Sequence, residues 1–344
     1  MTPYLWLDCD PGHDDAFALI LGCHGLDPTV IVAGVSTVSG NQTVEKTTHN
    51  ALRVLHLVGR DDVAVHKGAS KPLIRDARIC PEIHGETGLD GPDIPNATRD
   101  ASDVPPIVAM AAAFARITEI PSATPTLVAT GALTNVALFA SVYPCLAKKI
   151  NLVFMGGALG KGNTGPTTEF NIQCDPEAAR VVLEFPFKNI TMVPLETTHT
   201  ALATNAIRNR MRAGPTFRVD KDTAGGDNDT VNAPAVTRFR KLIDELLTFF
   251  AKTYSTEFGF DDPPLHDPCA VFFAIAPEMF RTEKLRVDVE CAGSHTAGQT
   301  VVDWWGQSPD KPLNVHVVME MDVDAFWEAM CVAVDNASAA CPLR

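Results

Sequence analysis

The sequence predicts an α/β protein: a Rossmann-like open, mostly parallel sheet with helices on both faces and an active site at the C-terminal strand ends. Three observations carry that reading. Short apolar, β-branched runs alternate with helical patterns through the first half of the chain, as in βαβ units. The runs are short and apolar enough to be buried strands. Acidic and amide-rich motifs follow them, where ligands bind in open α/β sheets.

In chain order, residues 4–7 are an apolar run, read as a buried strand that breaks at 8–12. Residues 14–24 follow as a helix, with Gly25 at its stop and Pro28 beyond. Residues 30–38 are a β-branched strand, and 43–58 have helical spacing through Val44, Leu52 and Leu55. Residues 107–117 form an Ala-rich helix, 126–129 a strand, 133–140 a helix and 151–155 a strand. Asp175 is an N-cap and Pro176 the first residue of a helix running to 183, followed by a strand at 190–195. From 205 the pattern is more helical. Residues 220–232 are a polar, Gly-rich loop that could close over a site. A long helix at 236–258, a helix at 268–276, strands at 285–289, 300–304 and 314–318, and a helix from Val323 complete the chain.

The chain has 344 residues, of which 46% are hydrophobic, ample for a sizeable core. No repeat, low-complexity tract or linker divides it, so a single domain spanning 1–344 is expected. The formal net charge is −14 with no basic stripe, which argues against a nucleic-acid partner. Nine Cys, an odd number without a CxxC pair, read as buried thiols of a reducing compartment rather than a disulfide framework. The start lacks a basic segment followed by an apolar one, and no apolar run is long enough to span a membrane. The expected location is the cytoplasm, with no membrane partner.

The strongest local signal is LDCDPGHDDAFAL, residues 7–19. Asp8, Asp10, Asp14 and Asp15 crowd a Pro-Gly turn just after a buried strand. A strand-end Asp and two helix-start Asp can converge on one hard cation such as Ca²⁺, which takes several oxygen ligands. Capping of the helix dipole would explain one of these residues, not four.

Here the chain resembles the inosine–uridine preferring nucleoside hydrolase family, whose fingerprint DxDPGxDDAxAL is present in full. The likeness extends over nearly the whole chain and is nearest the uridine- and inosine-preferring group. It implies hydrolysis of the N-glycosidic bond of ribonucleosides, uridine or inosine, to ribose and free base. It implies Ca²⁺ as cofactor, held by Asp10, Asp15, the Thr130 carbonyl and Asp267, with Asp10 as the base that activates water. Asp14 would bind a ribose hydroxyl. Asn41, in VSGNQT, would orient the reacting ribose region. In MGGALGKGNTGPTTEFNIQCDP, the resemblance gives Asn163, Glu169 and Asn171 to the ribose, with Met155 near the sugar. Neutral amides and a carboxylate suit hydroxyls, and the alternation in TEFNI places Glu169 and Asn171 on one face.

PPLHDPCAV, residues 263–271, supplies His266 and Asp267; the resemblance puts Asp267 on calcium and His266 beside the base as a general acid. A free histidine titrates near neutrality, which suits that role. In HGETGLDG the resemblance places His84 near the base. Phe250 and Tyr254 form an i,i+4 pair on the long helix. Some relatives have two Tyr here and use them on purine leaving groups; Phe250 lacks the hydroxyl, which weakens the case for purines and fits uridine. The resemblance also implies a homodimer or homotetramer. Three other readings are open, the first a purine-preferring nucleosidase of the same fold. A haloacid-dehalogenase-type Mg²⁺ phosphohydrolase also opens with DxD, but Pro11-Gly12 follows here. A catalytically silent nucleoside-binding protein would not need every acidic ligand.

Overall fold

A computed structural model describes residues 1–216 and 233–343; the loop expected at 220–232 lies outside the described residues. Among the described residues, nine strands form one sheet in the order β3-β2-β1-β4-β5-β6-β9-β7-β8. The strands are β1 (Thr2–Cys9), β2 (Ile31–Thr37), β3 (Val65–Lys67), β4 (Ala123–Ala129), β5 (Asn151–Met155), β6 (Asn189–Val193), β7 (Phe280–Val289), β8 (Thr300–Asp303) and β9 (Val315–Met321). Every pairing from β3 to β9 is parallel, whereas β7 pairs antiparallel with both β9 and β8. The expected mostly parallel sheet is therefore present, with an antiparallel edge.

Alternate residues of β1 enter different cores. Leu5, Leu7 and Cys9 pack in one apolar cluster with helices α1 (His13–His24), α2 (Val44–Leu57), α11 (Arg238–Phe258), α12 (Asp267–Ile275) and α13 (Val323–Ala340). Trp6 packs in a second cluster with α4 (Pro106–Ile117), α5 (Thr134–Val142) and α8 (Pro176–Glu184). A strand's side chains point alternately to the two faces, so the sheet is covered on both sides. β1 lies between β2 and β4, where the order of chain addition reverses. That point opens a crevice beyond the carboxyl ends of the strands.

Several boundaries differ from expectation for local reasons. β4 starts at Ala123, and Pro125 is tolerated because pairing with β5 begins only at Thr126. β7 begins at Phe280, five residues before the expected strand, because its first half is exposed and shows no apolar run. β3 and the one-turn helices α3 (Pro81–His84), α6 (Pro144–Ala147), α7 (Phe170–Cys174) and α9 (Leu195–Thr198) are too short to carry a periodic signal. α10 (Asn205–Ala213) falls where the helical pattern resumes. Thr237 caps α11 through Oγ1, which accepts the Arg240 amide at 3.2 Å, and Gly259 ends it in the left-handed region at φ 71°. Among the described residues, no helix is long and apolar enough to cross a membrane.

Candidate active site

The crevice holds a cavity of about 390 Å³ lined by residues from every motif singled out above, among them Asp14, Asn41, Thr130, Asn171, Tyr254 and His266. At its floor, β1 ends and α1 begins within four residues, because Pro11 and Gly12 turn the chain sharply. That turn puts Asp14 and Asp15 in the first turn of α1. Asp267 starts α12, from the far end of the sequence. It was expected as the residue before that helix; the helix takes it in and His266 becomes the N-cap. Carboxylate oxygens of Asp14, Asp15 and Asp267 lie within 4.8 Å of one another, all three side chains buried.

Asp10 stands beside this trio. Its amide lies 3.4 Å from Asp15 Oδ1, and its Oδ2 accepts the Asn41 amide at 2.7 Å. Its Oδ1 is buried with no hydrogen-bond partner among the described residues. Two glycines make room for it: a Cβ on Gly40 would sit 2.0 Å from Asp10 Oδ2, and one on Gly131 2.5 Å from Oδ1. Asp15 is held by the Gly12 amide (3.0 Å), Asn41 Nδ2 (3.1 Å) and Thr130 Oγ1 (2.8 Å).

Burial, reinforced by the neighbouring carboxylates, pushes Asp10 and Asp267 well above the usual carboxylate range and Asp14 up to about 7. Asp15 is also raised, by burial. Four buried acids with no buried cation among them are a costly arrangement unless a positive charge joins them. The donors are all oxygen, and one oxygen has no partner. The residues therefore fit a hard cation.

The residues expected to bind ribose assemble above the floor. Asn171 Nδ2 donates to the Thr130 carbonyl at 2.7 Å and lies 3.5 Å from Met155 Sδ. The stretch around Glu169 and Asn171, read as alternating, is helical: Glu169 caps α7, accepting from the amides of Asn171 (2.8 Å) and Ile172 (3.1 Å), and from Gly157 (2.9 Å). Those bonds still set the two residues side by side. Burial raises Glu169 to about 7. Asn163 Oδ1 accepts the Phe170 amide at 3.0 Å, steadying the same turn. Asp175 is an N-cap, as expected: Oδ1 accepts from Ala178 (3.0 Å), while Oδ2 accepts from Leu73 (2.8 Å) and Thr134 (2.7 Å).

The upper wall is aromatic. Phe250 and Tyr254 meet edge to face with centroids 4.7 Å apart, both buried yet facing the cavity. His266 is bridged on both nitrogens, by Thr198 Oγ1 at Nδ1 and Tyr254 Oη at Nε2, each 2.7 Å away. The ordinary near-neutral titration expected of His266 does not survive burial: desolvation pushes both His266 and His84 well below it, so each ring is neutral at pH 7. Sequence reasoning missed Thr198 and His13. Thr198 sits in the run TTHT with nothing to mark it, and His13 fills the variable position of the acidic fingerprint.

A mostly parallel sheet with an acidic floor, amide-rich middle and aromatic wall at its carboxyl edge is the architecture of an enzyme pocket for a small polar molecule, with a floor suited to a cation. Comparison with known proteins narrows this. Residues 5–328 match the family model described as inosine-uridine preferring nucleoside hydrolase. A Dictyostelium discoideum protein named probable ribonucleoside hydrolase is 42% identical over 96% of this chain and 94% of its own. A pyrimidine-specific ribonucleoside hydrolase of Photobacterium profundum is 39% identical over 98% of this chain and 100% of its own. Among solved structures, a purine-preferring ribonucleoside hydrolase from Gardnerella vaginalis superposes with a TM-score of 0.83 at 26% identity, covering 97% of this chain and 99% of that one. The chain belongs to the inosine-uridine preferring nucleoside hydrolase family, and it is a ribonucleoside hydrolase.

Proposed function

We propose that the enzyme cleaves the N-glycosidic bond of pyrimidine ribonucleosides, uridine foremost, with Ca²⁺ as its resident cation. The observation that carries this is the gathering of Asp14, Asp15 and Asp267 beside the unpartnered Oδ1 of Asp10. Asp10, Asp15, Asp267 and the Thr130 carbonyl would hold the ion, and Asp14 would reach a ribose hydroxyl from the same cluster. When bound, the cation offsets the carboxylate charges and makes nearby water more acidic.

The protein's own groups do the rest. A water loses its proton to Asp10 Oδ1, which has no hydrogen bond to break among the described residues. The water's oxygen attacks C1′ of the ribose, and the C1′–N bond breaks with its electron pair leaving on the base. Glu169, Asn163 and Asn171 hold the ribose hydroxyls, Met155 packs below the sugar and Asn41 keeps Asp10 and Asp15 aimed. Tyr254 and His84 set O–H and N–H groups beside the departing base, where they stabilise its developing charge, and His266, engaged at both nitrogens, orients the Tyr254 hydroxyl.

The pyrimidine preference rests on Phe250, which presents no hydroxyl to a purine. The pyrimidine-specific name of the 39% identical Photobacterium relative supports it more than the purine-preferring neighbour at 26% opposes it. A panel of ribonucleosides assayed for free ribose, with chelator and after Ca²⁺ is restored, tests the reading. Uridine should be cleaved, activity should vanish on chelation, and Ca²⁺ should restore it. Ribose release from no member of the panel would refute it. Light scattering tests the homodimer or homotetramer that accompanies this reading.

A further inference from the structure

His13 has no part in the chemistry above, yet it is fully buried and both ring nitrogens are engaged. Its Nε2 lies 2.8 Å from the Asp90 carbonyl, which can only accept, so that nitrogen carries the hydrogen. In the neutral ring Nδ1 is then a bare acceptor, and it faces His84 Nδ1 at 3.3 Å. The backbone N–H of His13 points at the same His84 nitrogen from 3.2 Å. One atom of His84 is thus offered a donor and an acceptor by a single residue. The geometry is tightly kept. His13 stacks within 5° of parallel on Phe249 and within 1° on Phe250. A Cβ on Gly12 would stand 2.4 Å from His84 Nδ1, so only glycine lets the two rings approach.

A neutral imidazole has one N–H. With it on Nε2, His84 accepts the His13 amide at Nδ1 and shows the cavity a donor. With it on Nδ1, His84 donates to His13 Nδ1 and shows the cavity a bare acceptor. Among the described residues Nε2 has no hydrogen-bond partner, and His84 lines the cavity.

We propose that His13 is a positioning residue that sets base specificity, because it holds both tautomers of His84 accessible and lets one side chain meet a nucleobase edge of either polarity. This rests on the nucleoside-hydrolase reading and names its substrate range. Uracil and cytosine have the same size and share O2. They differ in polarity at N3 and at the 4-position, N–H with C=O in one and bare N with NH₂ in the other. A fixed donor would pair with one base and leave an unmet buried group against the other, a penalty of about tenfold in kcat/KM. A ring free to exchange tautomers serves both.

Histidine-selective ¹⁵N NMR on the Ca²⁺-loaded, substrate-free enzyme reads the tautomer directly, with His84 assigned by its loss in His84→Asn. The wild type should give ring shifts between the two tautomeric limits. His13→Leu, which keeps the backbone donor and removes the acceptor, should give the Nε2–H form alone. In parallel, the cytidine-to-uridine ratio of kcat/KM should move about tenfold in His13→Leu. His13→Asn, whose Oδ1 falls near the place of Nδ1, should recover most of that change. A single His84 tautomer in the wild type, or an unmoved ratio in the variants, would overturn the proposal. If His13→Leu does not fold, the wild-type spectrum and His13→Asn decide. Absence of ribose release from either nucleoside by the wild type would count against the hydrolase reading instead, and the spectrum would still judge the tautomers.

Discussion

Asp10 shows how much one residue depends on its neighbours' smallness. Its carboxylate fits only because Gly40 and Gly131 lack side chains, and one of its oxygens is left free for a proton. Asp10→Ala should therefore lower kcat by about a thousandfold while the circular dichroism stays native; turnover near the wild-type rate would remove Asp10 from the mechanism. On the aromatic wall of the cavity, His266 is pinned between Thr198 and Tyr254. Its removal should slow uridine cleavage more than cleavage of p-nitrophenyl riboside, whose leaving group needs no help. Equal losses on both would contradict a leaving-group role. At this scale the sequence was most legible where charge is dense. Asp10, Asp14 and Asp15 stood out because nothing in a core explains so many acids in one turn, whereas Asp267, alone with His266 in the sequence, was assigned through the family resemblance. His13 and Thr198 were not, since a lone histidine or threonine looks the same whether it packs or positions.

The elements that build the pocket are short, and their ends do the positioning. Gly131 lies in the turn after β4, packed against the Asp10 carboxylate and the Val38 side chain. Gly131→Ala should leave the thermal midpoint within a few degrees of wild type yet lower kcat by about a hundredfold, since roughly 1 Å of displacement at a reacting group has that effect. A large fall in stability with kcat preserved would show the glycine serves the fold alone. Asp175 is the converse case. It caps α8 and ties Leu73 and Thr134 to it, away from the substrate. Asp175→Ala should destabilise the protein by about 2–4 kcal/mol in denaturant titration and leave KM for uridine nearly unchanged. The long periodic elements β1, β2, α2 and α11 were legible from the sequence within a few residues. The one-turn helix α7 was not: five residues cannot distinguish alternation from a capped turn, and the deciding fact is that Glu169 folds back onto the amides of Asn171 and Ile172.

Across the whole molecule the buried acids couple stability to pH. Burial raises Glu169 from 4.5 and Asp8 from 3.8, each to about 7. Between about pH 4 and pH 7 the folded chain thus holds protons that the unfolded chain has released. Their contribution is complete below the unfolded values and is lost as pH rises through about 7. Chelator-treated protein should unfold at lower denaturant concentration at pH 8 than at pH 5, and Glu169→Gln, which cannot ionise, should flatten that slope. An unchanged slope in the variant would remove Glu169 from the linkage. Ion pairs such as Arg210–Asp335 act in the opposite sense but are partly exposed and screened. Ca²⁺ at a hundred times its Kd should add about 2.7 kcal/mol, if it binds only the folded state. The parallel sheet was legible because its strands are buried on both faces; the antiparallel edge was not, since the first residues of β7 mix exposed charges with half-buried positions and carry no apolar run.

The acidic floor joins the first helix to one that begins near residue 267, closing about 250 residues into a ring of chain. During synthesis the three carboxylates cannot gather until Asp267 itself has left the ribosome. The catalytic centre is therefore among the last features to mature, and a truncated product carries the fingerprint but not the catalyst.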